Sequence, residues 1–279
     1  MATSERSPLR TVVALVSALG LGGGGLAFGF VLASLAAAVL TLGLGIDISP
    51  AAVIVLSLVF VQGVGCAGVA FAYLELRPTV APKIRSLLGF DGVPGPFDIG
   101  VDLPDLRGAA VVVGGYVLAL GAAFTGSILV TLLQVDTGTN QAAEIGMQNP
   151  EVLLILIPAS ILVIGPGEEL LFRGVVQGRL REVLGPIAGI LLASAVFAGL
   201  HWFALTGGSA AGNFVALGIL VGPALVFGAA YELTDNIVVP ALIHGIYNAT
   251  LFTLLYVVVA FGDQLPDTQN ATSAVLALL

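Results

Sequence analysis

Long apolar runs alternate with short polar segments along almost the whole chain. Most of the runs reach about 20 residues, the length that an α-helix needs to cross a bilayer. They are continuous, whereas a transmembrane barrel would show ten-residue strands of alternating polarity. The pattern predicts an all-α, polytopic membrane helical bundle of about seven transmembrane helices, or eight if the last run is broken. The runs cover residues 11–45, 51–74, 108–134, 151–167, 187–206, 213–231 and 237–262.

The nine basic residues lie in three places, which predict how the spans are oriented. The groups are Arg6 and Arg10; Arg77, Lys83, Arg85 and Arg107; and Arg173, Arg179 and Arg181. Basic loops stay in the cytoplasm. If 11–45 is one span, all three groups fall on the cytoplasmic side. We therefore predict a multi-pass protein of the cell membrane with a cytoplasmic N-terminus and an external loop at 135–150.

Three segments follow from this arrangement. Residues 1–149 hold the N-terminal transmembrane helices and a cytoplasmic connector, 76–107, which is rich in Pro, Gly and Asp. Residues 150–262 form a helical core that contains the polar groups described below. Residues 263–279 are predicted to be a C-terminal tail.

Composition narrows the class of protein further. Charged residues make up 9% of the chain, against about 25% in soluble domains, and the mean hydropathy is +1.08. The net charge of -8, with Lys83 as the only lysine, argues against a nucleic-acid partner. It suits a salt-rich cytoplasm, where screening weakens repulsion, and favours a haloarchaeal source. Cys66 is the only cysteine, so we expect a small buried hydrophobic residue there and no disulfide within the chain.

A few polar side chains lie within or beside the core runs, where a charged group costs about 3 kcal/mol or more and usually marks function. They belong to the stretches EELLFR (168–173), FAGLH (197–201) and HGIYN (244–248). Residues four apart share a helix face. Glu169 can therefore pair with Arg173, which leaves Glu168, about 100° around the helix, for another role.

The Gly-Pro pair at 185–186 predicts that Glu168 and His201 lie at one depth, because it ends one helix and starts the next. Each residue is about 16 positions from this turn, or roughly 24 Å along its helix. His244 lies roughly 12 Å into its own span. We expect Glu168, His201, His244 and Asn248 to form one layer that opens toward the cytoplasm.

This set of side chains has the chemistry of a hydrolase. A carboxylate and a neutral imidazole can hold a water molecule and remove its proton, and a histidine with an amide can stabilise an oxyanion. We expect no cofactor, although Glu168, His201 and His244 would also supply a zinc shell. The alternatives are a proton-coupled transporter and a non-proteolytic immunity or scaffold protein. No inverted repeat supports a transporter.

The three stretches resemble the motifs of the CPBP family, which comprises type II CAAX prenyl endopeptidases and bacteriocin-processing or immunity (Abi) proteins. EELLFR fits EExxxR, FAGLH fits FxxxH, and HGIYN fits HxxxN, in this order on successive membrane helices. The resemblance covers about 150–261. It implies an intramembrane endopeptidase acting on a peptide or protein substrate, which is prenylated in eukaryotic relatives, presented from the cytoplasmic side of the lipid bilayer.

The resemblance also implies a role for each matching residue. Glu168 corresponds to the catalytic base, which works with His201 on a water molecule. His244 and Asn248 correspond to the pair that stabilises the oxyanion. The supporting residues are Glu169, Arg173 and Phe197.

Overall fold

The computed structural model describes residues 8–89, 97–264 and 275. Within these residues it has eight helices, and seven of them are long and apolar enough to cross a membrane. This confirms the predicted all-α polytopic bundle; the first and the last apolar runs each form one helix. The elements are α1 (Pro8–Gly43), α2 (Pro50–Leu87), α3 (Leu106–Leu132), β1 (Thr139–Asn140), α4 (Gln141–Gln148), α5 (Pro150–Arg181), α6 (Pro186–Ala204), β2 (Leu205–Thr206), α7 (Ala210–Thr234) and α8 (Val238–Phe261).

Two terminal predictions fall largely outside the described residues. Residues 1–7, which include Arg6 and the N-terminus that we expect in the cytoplasm, lie outside them. Of the tail 263–279, only residues 263, 264 and 275 are described. The orientation of the bundle in the membrane and the tail therefore stay predictions.

Polar caps start several of the helices. Ser49, Asp105, Asn140 and Ser209 precede α2, α3, α4 and α7, and each side chain accepts a hydrogen bond from a backbone N–H of the first turn. These bonds satisfy N–H groups that have no partner within the helix. Proline occupies the first position of α2, α5 and α6, where its missing N–H costs nothing. The polar residues between the apolar runs thus set the helix boundaries.

The structure adds helix to two segments that we expected to be loops. The connector 76–107 begins as the last turns of α2, which runs to Leu87 despite Pro78 and Pro82. Buried Arg77 holds this extension: its Nη1 donates to the Tyr73 hydroxyl at 2.7 Å, and its Nη2 pairs with Glu182 of α5. These contacts of Arg77 offset the free energy that two prolines within a helix cost.

The second segment is the loop 135–150. Part of it pairs with the loop after α6, because β1 and β2 form a short antiparallel ribbon. The rest contains α4, whose Ala143 and Gly146 are buried against the bundle. This loop is therefore folded over one end of the protein.

Helix α5 lies at the centre of the bundle, and every residue from Leu171 to Gln177 is buried. It runs parallel to α7, and three side chains of α5 contact α7 at a constant offset of 51 residues. The contacts are Arg173 to the Ala224 carbonyl, Gln177 to the Gly228 carbonyl, and Arg181 to the Glu232 carboxylate. This polar ladder sets the register of the two helices.

The two ends of the bundle differ in charge. We call one the basic end, because it carries Arg10, Arg77, Lys83, Arg85, Arg107, Arg179 and Arg181. Contacts such as Arg77–Glu182 and Arg107–Leu233 join its segments. We call the other the sheet end, because it carries the β1–β2 ribbon and the loops 44–49, 133–149 and 205–209. The distribution of basic residues predicts that the basic end faces the cytoplasm.

Glycines of α1 allow it to pack closely on α2. A Cβ at Gly25 would lie 2.6 Å from the Gly65 carbonyl oxygen, and a Cβ at Gly29 would lie 2.7 Å from the Val61 Cα. Neither position has room for a side chain, whereas Gly24, on the next face, has nothing within 4 Å. Gly25, in the run GLGGGG at 20–25, and Gly29 thus provide the small residues that membrane helices use for close contact.

We expect Gly25→Ala to destabilise the protein by about 1–3 kcal/mol, because the added methyl group forces α1 away from α2. Gly24→Ala is the matched control, since both changes carry the same gain in helix propensity. Unfolding in mixed micelles, followed by circular dichroism, measures the difference. Equal stability of the two variants would contradict this packing.

Candidate active site

The Gly-Pro-Gly stretch at 165–167 loosens α5 without breaking it. The helix is wide, with π-type turns, over Ser160–Ile164 and Leu170–Gln177, on both sides of Gly165–Glu169. Pro158 and Pro166 supply no backbone N–H, which removes ladder hydrogen bonds in this region. Wide turns of this kind occur often at functional sites.

The two glycines of this stretch bring neighbouring helices close to α5. A Cβ at Gly165 would lie 2.7 Å from the Ala241 carbonyl oxygen of α8. A Cβ at Gly167 would lie 2.9 Å from the Gln62 carbonyl oxygen of α2. Helix α5 is thus held between α8 and α2 at the level of Glu168 and Glu169.

A buried ionic cluster joins α5 to α8. Glu169 Oε1 lies 2.8 Å from Nδ1 of His244, and Glu169 Oε2 lies 3.2 Å from Nε of Arg173, as an ion pair without hydrogen-bond alignment. The side chains of Glu169 and Arg173 are both 0% exposed. The predicted Glu169–Arg173 pairing is therefore present, and Glu169 also holds the ring of His244.

Aromatic rings enclose this cluster. The Arg173 guanidinium lies 4.7 Å from the ring centroid of Phe197 and 5.7 Å from that of Phe227. The His244 ring stacks on Phe227 at 4.8 Å. Phe197 also contacts the ring of His201 at 4.6 Å, so one aromatic side chain separates the ionic cluster from His201. Cation–π contacts of this kind stabilise a buried guanidinium.

Glu168 has a partner that sequence reasoning missed. Gln62 Nε2 of α2 donates to Glu168 Oε1 at 2.7 Å. The other oxygen, Oε2, is buried, has no hydrogen bond, and lies 3.9 Å from Nε2 of His244. Gln62 carries a side-chain amide in the middle of an apolar run. A polar group at that depth is costly, and this is the feature of the sequence that could have identified Gln62.

The hydrogen bonds of each histidine show which ring nitrogen carries the proton and which one can accept a hydrogen bond. Nδ1 of His201 lies 2.8 Å from the Phe197 carbonyl oxygen. A carbonyl only accepts, so Nδ1 carries the proton and Nε2 is the acceptor of a neutral ring. Nδ1 of His244 likewise donates to Glu169. Nε2 of His244 lies 3.1 Å from Nδ2 of Asn248, the i,i+4 contact that we expected.

Glu168, His201, His244 and Asn248 all line one cavity of about 580 Å³. The expected layer therefore exists as a shared cavity. Within the described part of the chain, no hydrogen bond joins Glu168 to His201, and the contacts of Glu168 are Gln62 and His244. The walls are mostly apolar, and they include Leu26, Phe30, Leu156, Leu200 and Phe252.

The cavity extends toward the sheet end. Its lining continues from Glu168 to Ile54 of α2, Asn140 of the ribbon and Ala204 of α6. On the other side of Glu168, α5 is packed within a core of buried side chains that includes Val175. We expected the layer to open toward the cytoplasm. The cavity extends toward the end that the distribution of basic residues predicts to lie outside, so this expectation and the predicted orientation cannot both hold. Counting residues from a turn gives the depth of a side chain along its helix. It does not show on which side of that side chain the bundle is filled, because this depends on how the helices pack.

The described residues offer no evident metal shell. Among them, no three His, Cys, Asp or Glu side chains are grouped so that they could hold a metal ion. Glu168, His201 and His244 therefore do not fit the alternative zinc site in this arrangement. The reaction considered below uses only groups of the chain and water.

Comparison with known proteins gives one match. Residues 150–250 match the family model described as "Type II CAAX prenyl endopeptidase Rce1-like". No curated protein and no solved structure matches the chain significantly. The matched segment falls within the predicted core 150–262 and contains all three motifs, whereas Gln62 lies outside it. The match does not bear on the expected haloarchaeal source.

Membership of an endopeptidase family implies protease activity and a protein or peptide substrate at the level of the family. The seven candidate spans make the chain a multi-pass membrane protein. The family match covers all three polar motifs, and residues from each motif line one cavity. Residues 150–250 of this chain are a domain of the Rce1-like type II CAAX prenyl endopeptidase family.

Proposed function

We propose that this protein is an intramembrane endopeptidase that hydrolyses a peptide bond with water activated by Glu168. The observation that carries the proposal is the state of the Glu168 carboxylate. One oxygen accepts a hydrogen bond from Gln62, and the other is buried at the cavity without a partner. A carboxylate oxygen that accepts no hydrogen bond from a protein group can accept one from a water molecule in the cavity, which suits a general base.

The reaction follows from this geometry. Oε2 of Glu168 removes a proton from a water molecule, and the oxygen of that water attacks the peptide carbonyl carbon. Nε2 of His201, the acceptor of its neutral ring, orients the water. When the tetrahedral intermediate collapses, the carbon–nitrogen bond breaks, and Glu168 returns its proton to the leaving amine. Atoms and charge balance without a cofactor.

Asn248 and His244 stabilise the oxyanion in this proposal. A side-chain amide has two N–H donors, and in Asn248 one of them can serve Nε2 of His244. The second donor is left for the substrate oxygen. His244 contributes by accepting this bond at Nε2, which orients the Asn248 amide, while its own Nδ1–H is held by Glu169. Glu169, Arg173 and Phe197 position these groups.

The substrate class follows from the cavity walls. A peptide reaches the site through a cavity whose apolar side chains come from α1, α2 and α6. Such walls suit a lipid chain attached to the peptide, as in the prenylated substrates that the family name describes. We propose a lipidated peptide that enters at the sheet end. The predicted orientation puts this end outside the cytoplasm, opposite to the entry side that we expected.

Hydrolysis of a defined peptide tests the proposal. The purified protein in lipid nanodiscs is incubated with a farnesylated C-terminal peptide and with the same peptide without the lipid. Mass spectrometry in ¹⁸O-water identifies the bond cut and the new carboxyl group. We expect cleavage of the farnesylated peptide, with one ¹⁸O in the product, and none with Glu168→Ala. Cleavage undiminished in Glu168→Ala would refute the assigned base. Absence of cleavage in the wild-type protein would favour the transporter or scaffold alternatives.

Gln62 is a positioning residue in this proposal. We expect Gln62→Leu to lower kcat by about 10- to 100-fold, because a hydrogen bond to a charged group is worth roughly 1.5–3 kcal/mol. KM should stay unchanged, since Gln62 acts through Glu168. Steady-state kinetics separate the two constants. Gln148→Leu, at an exposed position away from the cavity, is the control. A rise in KM at constant kcat would instead assign Gln62 to substrate binding.

A further inference from the structure

Tyr247 lines the cavity of Glu168, but the reaction described above does not use it. It belongs to α8 and directly precedes Asn248. Its side chain is 4% exposed, and it lines the cavity together with His244 and Asn248. Residues three and four apart on a helix lie on one face, so the spacing of these residues places all three on the face of α8 that borders the cavity.

The ring of Tyr247 is held by packing. It contacts the ring of Phe227 edge to face, with 6.0 Å between the ring centroids. Phe227 in turn stacks on the ring of His244 at 4.8 Å. Ala119 and Ala123 of α3 belong to the same buried cluster. The ring is therefore packed in a cluster that α3, α7 and α8 share.

Among the residues that the structure describes, the hydroxyl group of Tyr247 has no hydrogen-bond partner. The side-chain atoms that are both unbonded and completely enclosed are others, so this oxygen keeps some contact with open space. A tyrosine hydroxyl in a protein interior usually has a hydrogen-bond partner. The open space that the side chain lines is the cavity, so this donor is available to a bound molecule.

The direction of Tyr247 distinguishes it from Asn248. The two residues are neighbours, so their depths differ by about 1.5 Å, but they are rotated by about 100° around α8. In the proposed function, Asn248 donates to the carbonyl oxygen of the bond that is cut. A hydroxyl group on the adjacent face serves a different oxygen. An extended peptide offers one carbonyl about every 3.3 Å, so further acceptors follow closely along the chain.

We propose that Tyr247 binds the substrate by donating a hydrogen bond to a backbone carbonyl oxygen next to the bond that is cut. This rests on the proposed function, because it requires a peptide in the cavity. The bond forms in the bound substrate and persists during the reaction, so it adds to substrate affinity without favouring the transition state. It recognises the peptide backbone and therefore does not select a particular side chain.

Replacing Tyr247 by phenylalanine tests the proposal, because the change removes the hydroxyl group and keeps the ring. Hydrolysis of the farnesylated peptide in nanodiscs gives kcat and KM. We expect KM to rise by about 3- to 10-fold, the effect of one neutral hydrogen bond, at constant kcat. The melting temperature should stay unchanged, since the hydroxyl group bonds no described residue. Tyr256→Phe, on the same helix but outside the cavity, should match the wild-type protein.

Binding without turnover separates this contact from the peptidase activity. The Glu168→Gln protein, in which cleavage is slowed, is titrated with a fluorescent farnesylated peptide, with and without Tyr247→Phe. We expect Tyr247→Phe to weaken binding by the same factor of about 3 to 10. The factor should be equal for a peptide with a C-terminal acid and for one with a C-terminal amide. If this loss is found but the wild-type protein cleaves nothing, the peptidase activity is refuted and the contact stands.

Five results would overturn the contact. Unchanged KM and affinity in Tyr247→Phe would show that the hydroxyl group does not touch the peptide. A lower kcat at constant KM would assign it to the transition state, and a loss confined to the peptide acid would assign it to the terminal carboxylate. A lower melting temperature with a matching loss of activity would make its role structural. Absence of peptide binding to any of these proteins would refute both the contact and the proposed function.

Discussion

Replacing Glu168 by glutamine is expected to lower kcat for peptide hydrolysis by about 10²- to 10⁴-fold, the usual contribution of a general base. Glutamine keeps the size of the side chain and can still bond Gln62 through its carbonyl oxygen. It cannot take a proton from water. Because Glu168 Oε2 has no hydrogen bond, the change breaks no contact there, and we expect the melting temperature to fall little.

The matched control is Glu151→Gln. Glu151 lies on the same helix, is exposed, and is remote from the cavity. It should keep full activity. If Glu168→Gln and Glu151→Gln have the same kcat, Glu168 is not the base. If Glu168→Gln lowers activity only in proportion to a loss of folded protein, its role is structural.

Replacing Arg173 by methionine is expected to destabilise the protein by about 3–5 kcal/mol. The side chain is fully buried, pairs with Glu169, and donates to the Ala224 carbonyl at 3.3 Å. Without Arg173, the buried carboxylate of Glu169 loses its cation and keeps only His244. Removing one partner of a buried ion pair costs more than the pair contributes, because the other charge stays in the protein. Chemical unfolding in mixed micelles measures the loss.

A double variant separates stability from activity at this cluster. In Arg173→Met/Glu169→Leu no uncompensated charge remains, so we expect most of the stability to return. Activity should not return, because Nδ1 of His244 has lost the carboxylate that holds its ring. A double variant as unstable as Arg173→Met would show that the ion pair is not the cause of the loss. A fully active one would show that Glu169 does not position His244.

Local geometry made much of this site predictable. Glu169–Arg173 and His244–Asn248 are contacts between residues four apart, so any helix with this sequence brings them together. The buried state of Cys66 followed from its apolar neighbours and is confirmed. Other contacts join distant helices: Gln62 to Glu168, and His244 to Glu169. No spacing along the chain reveals such contacts, because they depend on how each helix is rotated.

By itself, the sequence determined that the chain is a helical membrane protein of about seven spans, with its three polar motifs within or beside the fourth, fifth and seventh spans. Bilayer thickness and helix periodicity act on short stretches, so composition and spacing suffice for that. Only the tertiary structure decided that α2 supplies Gln62 to Glu168, and that the cavity extends to the sheet end. Both depend on side-chain volume where helices meet. Gly165 and Gly167 let α8 and α2 approach α5, and the bulky residues after Glu168 fill the opposite side.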